Sequence, residues 1–193
     1  MALEKQIEFD LSGIPSAFIS ELNLQRLSKH LRFENILQYV ALPKLKVEHR
    51  DKQHPPFSYG IEGKDSSDPP DRLGLIDAVT IFKWLRYQGV RKIIKVIVVD
   101  DGEIPHSDQA IEECLEGFDI EILDWKKLDI CSKPICRAAR DVRNIYLYST
   151  GSNAVLMSWS GERGLVQLGK VWPSYFSSVT VAGRNETDFE RYF

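Results

Sequence analysis

The spacing of apolar and polar positions changes along the chain, and the changes mark the elements. Leu24, Leu27 and Leu31 recur at steps of three and four, one face of a helix. Ile36, Leu37, Val40 and Leu42 follow, and Pro43 ends any helix through them. Leu45 and Val47 alternate with Lys44, Lys46 and Glu48 as a short half-buried strand. Residues 49–71, HRDKQHPPFSYGIEGKDSSDPPD, lose all periodicity and carry two Pro-Pro pairs, which reads as a flexible linker or insert.

Beyond residue 71 the pattern becomes regular. Asp71 can cap a helix whose apolar face includes Leu75, Ala78, Val79, Phe82 and Leu85, with Gly89 as its left-handed terminator. The run Ile93–Val99, IIKVIVV, is apolar at nearly every position, as in a strand buried on both faces of a parallel sheet. Ser107 or Asp108 caps a second helix that Gly117 stops. A strand through Ile120, Ile122 and Trp125 follows, then a weak helix over 134–139 and a strand, NIYLYST. Gly151-Ser152-Asn153 supplies turn chemistry before AVLMSW, which predicts a β-hairpin. A helix over 162–170 and a last strand, SVTVAG, complete the reading.

Strand, helix, strand, helix, strand is the rhythm of a right-handed α/β layer. The expected fold is a three-layer α/β sandwich with a mostly parallel sheet and an added hairpin over 72–193. Residues 1–48 form an N-terminal helical and strand extension packed on it or flanking it.

Composition narrows the function classes. A chain of 193 residues with 43% hydrophobic and 27% charged positions folds without disulfide or metal staples. The net charge of −3 argues against a nucleic-acid partner held through phosphates. No apolar run reaches the length of a membrane span, so no membrane is expected. The opening MALEKQIEFD lacks the apolar core of a signal peptide, and the three cysteines are odd in number; both point to the cytoplasm and reduced thiols.

In open parallel sheets ligands sit beyond the carboxyl ends of the strands, and Asp100-Asp101 mark the first such end. Adjacent carboxylates suit magnesium, a hard cation that takes a few oxygen ligands plus water. Asp124, near the next strand end, is a candidate further ligand. Trp125, followed by Lys126 and Lys127 at a strand end, is the candidate partner anchor, since an exposed tryptophan beside lysines suits a protein contact. His106 beside Ser107 and Asp108 is read as a helix-start loop, because a nucleophile and its base normally come from separate loops.

Two resemblances attach to these residues. VIVVDDGEIPHSDQAIEECLEGFDIEIL, residues 96–123, resembles the start of a response-regulator receiver domain. A receiver needs a phosphoacceptor aspartate ending its third strand, and here that strand ends in Ser149 and Thr150. The paired acids with PHSD, the string LDWKKLD, the turn before AVLMSWS and FENILQYVALPKLKV together are similar to the accessory region upstream of subtilisin-like serine protease domains in fungal intracellular proteins. That resemblance implies a non-catalytic interaction or regulatory module, whose partner is a protein or an effector protease domain. It carries over no catalytic residue and no cofactor, because the protease contexts of aspartate, histidine and serine are not in this sequence. The alternative is a small metal-dependent hydrolase or phosphoryl-transfer enzyme, with Asp100, Asp101 and Asp124 around magnesium.

Overall fold

A computed structural model describes residues 5–14, 18–48, 76–169 and 176–181. The elements in chain order are β1 (Lys5–Gln6), β2 (Glu8–Asp10), β3 (Phe18–Ser20), α1 (Glu21–His30), β4 (Arg32–Phe33), β5 (Ile36–Leu42) and β6 (Lys46–Glu48). Then come α2 (Asp77–Tyr87), β7 (Lys92–Val99), α3 (Asp108–Leu115), β8 (Asp119–Leu128), α4 (Ser132–Ala138), β9 (Asn144–Ser149), α5 (Asn153–Ser160) and β10 (Phe176–Val181). Six strands make one sheet in the order β10-β9-β8-β7-β5-β2, every neighbouring pair parallel. Two-stranded parallel pairs, β1 with β4 and β3 with β6, lie outside it.

The chain is therefore an α/β protein with a mostly parallel central sheet flanked by helices. The N-terminal extension enters that sheet: β2 and β5 continue it beyond β7. The flexible connection expected at 49–71, and the proposed cap Asp71, lie outside the described residues.

Each strand order step is one place along the sheet, so the connections β5-α2-β7, β7-α3-β8 and β8-α4-β9 are the usual parallel crossovers. Their helices pack side by side, α2 on α3 and α3 on α4. Ile81, Phe82 and Leu85 of α2 and Ile111 and Leu115 of α3 are fully buried. Burying each such side chain contributes about 1.5–3 kcal/mol. The opposite face of the sheet carries Tyr39, Lys95, Ile97, Ile122 and Tyr146, all half-buried. Lys95 Nζ lies 5.6 Å from the Tyr146 ring centroid, a cation over an aromatic face.

Two expectations are corrected. AVLMSW is no hairpin strand: residues 153–160 form α5, with Leu156 and Trp159 buried, and Trp159 Nε1 donates to Ile130 O at 2.7 Å. The sheet then continues in parallel to β10. The helix expected over 162–170 shrinks to a 3-10 turn at Leu165–Gln167. Gly89 does end the α2 segment, with φ of 94° in the region that favours glycine. Among the described residues no helix is long and apolar enough to cross a membrane.

Candidate functional site

The carboxyl end of β7 gathers the polar side chains that the sequence singles out. Val96 and Val98 of β7 are buried, and Asp100 continues inward just past the strand end, 4% exposed. A carboxylate there needs partners, because an unpaired buried charge is costly. The chain supplies them by turning through Asp101 and Gly102 and returning His106 to the same spot. The backbone N–H of His106 donates to both Asp100 oxygens, at 3.0 and 3.1 Å. Its ring Nδ1 lies 2.9 Å from Asp100 Oδ1. On the neighbouring strand Trp125 is in register with Val98, and its Nε1 donates to Asp100 Oδ2 at 2.8 Å. Burial works to raise the Asp100 pKa, but the hydrogen bonds from His106 and Trp125 outweigh it and hold the carboxyl below its usual value.

The far side of the His106 ring is also occupied. Ala78 N donates to Nε2 at 3.2 Å. An Nε2 that accepts is unprotonated, so the neutral ring carries its hydrogen on Nδ1 and donates to Asp100. Ala78 is the second residue of α2, whose N-terminal N–H groups have no partner within the helix. Ile76, at the cap position, supplies no side-chain bond, so His106 caps α2 from across the fold. Asp77 adds a second tie, accepting from Val47 N of β6 at 2.5 Å. The ring of His106 meets Trp125 edge-on at 5.8 Å, and Phe82 stacks beyond it.

The other sequence candidates go elsewhere. Asp101 is exposed and faces Lys44 Nζ at 3.8 Å, a surface pair of little energetic weight. Asp124 is buried and accepts from Tyr148 OH at 2.7 Å. Burial and that bond to Asp124 push the Tyr148 phenol well above its ordinary range. The three aspartates thus have three different sets of partners. Among the described residues no group of three His, Cys, Asp or Glu is placed to hold a metal ion.

Trp125 corrects the expectation of an exposed anchor. It is 1% exposed, because its indole N–H is drawn in by Asp100 and its ring lies in the core. Lys127 Nζ donates to His106 O at 2.8 Å and to Asp108 Oδ1 at 3.1 Å, which ties the loop down rather than presenting a cation to a partner. Lys126 is half-buried beside it. Ser107 Oγ accepts from Ala110 N at 3.1 Å and caps α3, as its position before the helix predicts.

At this edge lies a cavity of about 20 Å³ whose lining includes Leu42, Lys44, Asp100, Gly102 and His106. That is room for about one water molecule. Its histidine and carboxylate are bonded to each other and to the backbone, so neither ring nitrogen faces the cavity as a base in waiting. The thiol of Cys114 is fully buried and burial raises its pKa well above the usual value, which makes it inert. Sequence reasoning missed the bond from Ala78 to His106, which joins residues 28 apart through no recognisable motif.

Comparison of the chain with protein-family models, with curated proteins and with solved structures finds no match.

Proposed function

We propose that this chain is a non-catalytic interaction or regulatory module, which acts by binding a protein partner. The partner class that the sequence resemblance points to is a subtilisin-like protease domain. The single observation that supports a non-catalytic role is the closure of the Asp100–His106 pair. Asp100 receives hydrogen bonds from His106 N, His106 Nδ1 and Trp125 Nε1, and His106 Nε2 receives one from Ala78 N. A general base needs a free lone pair within reach of the proton it abstracts, and the only lone pair of this ring points at a helix N–H.

The test is biolayer interferometry of the purified chain against an immobilised protease domain from a fungal intracellular subtilisin-like protein. Saturable binding without turnover of ester or phosphomonoester substrates is the expected result. Turnover that disappears in Asp101→Asn would overturn the proposal.

A further inference from the structure

A second surface lies far in sequence from Asp100. The groove between β3 and α1 has a volume of about 340 Å³, within the range of ligand pockets. Its apolar side is built by Phe18, Ile19 and Leu27, and its polar side by Asn23, Arg26 and His30. Ile19 is buried and Leu27 half-buried, so the floor is fixed by the core, while Phe18 is 61% exposed at the rim. Asn23, Arg26 and His30 follow one another at three and four residues, so they line one stripe of α1. At 1.5 Å per residue that stripe is about 10 Å long, the span of three or so extended residues.

The charge is one-sided. The whole chain carries −3, yet among the described residues no acidic side chain lines this groove. Among the described residues neither Arg26 nor His30 has an ion-pair partner. A guanidinium above an apolar floor selects a carboxylate next to a bulky apolar residue, because the charge fixes orientation and the floor supplies burial.

We infer that this groove binds a short acidic and apolar segment of the partner protein, with a Glu or Asp on Arg26 and a leucine-sized side chain between Phe18 and Leu27. The inference rests on the interaction reading above and names the partner chemistry. Two different classes of segment are excluded by it: basic peptides, which Arg26 repels, and acidic peptides without an apolar residue, which leave the floor uncovered.

The experiment is fluorescence anisotropy with a labelled short peptide alternating glutamate and leucine. One control peptide has lysine in place of glutamate, and another has serine in place of leucine. The wild-type chain should bind the first peptide saturably and neither control. Binding should weaken with added salt, by screening of an exposed pair. Arg26→Glu should weaken it about tenfold or more, while Arg26→Lys retains most of it. Arg26 is exposed, so both variants should keep the wild-type melting curve. Equal binding of the lysine peptide, no effect of Arg26→Glu, or no binding at all would overturn the assignment. Capture of the protease domain unaffected by Arg26→Glu would remove the groove and leave the module reading standing. Binding of the acidic peptide with no capture of the protease domain would keep the groove and remove that partner class.

Discussion

His106 Nδ1 lies 2.9 Å from Asp100 Oδ1, across a loop that leaves β7 and returns to it. Both residues are buried, and each is the other's principal partner. The bond closes the carboxyl edge of the sheet, since the same histidine receives the first turn of α2 and the same carboxylate receives Trp125 from β8. Replacing Asp100 by Asn removes the charge that three donors share and offers one carbonyl in its place. The expected loss is about 2–3 kcal/mol of stability, from weakened charge-assisted hydrogen bonds. Urea unfolding followed by tryptophan fluorescence measures it. An unchanged midpoint would show that the carboxylate contributes nothing to the fold.

The same carboxylate sets an acid limit. Its pKa in the folded chain lies below the usual value, because the bonds from His106 and Trp125 outweigh the burial that works to raise it. A lowered folded pKa contributes stability that is fully present above the unfolded value, about pH 4. It is lost as the pH falls through the folded value. The stability gap between wild type and Asp100→Asn should therefore close as the pH falls below about 4. Urea melts at a series of pH values test this, and a gap that persists at the acid end would contradict it.

His106→Ala leaves Ala78 N–H without an acceptor and Asp100 without its ring donor. The expected cost is about 2–4 kcal/mol. It should be felt first at the start of α2. Hydrogen exchange should speed at the amide of Ala78, while Phe82 and Leu85, deeper in the helix, stay protected relative to it. Uniform acceleration along α2, or none, would mean that the histidine is no cap.

At the other end of the pH scale Tyr148 governs. Burial and the bond to Asp124 raise its pKa, so the folded chain keeps the phenol protonated where the unfolded chain loses its proton. That stabilisation is present below about pH 10 and falls away as the pH rises above it. Tyr148→Phe should flatten the alkaline limb of the stability curve. Thermal melts between neutral and alkaline pH check this, and parallel limbs in the two proteins would refute it.

The β7 run and its terminal acids were legible because a strand covered on one side and half-covered on the other still reads as continuously apolar. The caps at Ser107 and the stop at Gly89 were legible because each follows from local chemistry, a hydroxyl reaching its own helix and a glycine at positive φ. Residues 153–160 were not, since a short apolar run with a tryptophan fits a strand or a buried helix equally. Strand alternation also fails locally. The register runs from Leu37↔Ile93 and Tyr39↔Lys95 in β5 and β7, and the buried positions step from Leu37 to Val40 and from Ile93 to Val96. At the site, Trp125 beside two lysines signals exposure only until Asp100 is known to sit beside it on the next strand. A polar partner brought by parallel pairing across 25 residues leaves no local signal.

Asp100 and Asp124 are tied into the fold at the carboxyl edge, while Asp101 is exposed beside them, and the proposed module uses no metal ion there. Isothermal titration of magnesium and manganese into the purified chain, with Asp101→Asn as the control, tests it most directly. No saturable heat is expected in either protein. Saturable binding in the wild type that disappears in Asp101→Asn would contradict it and make the edge a metal site.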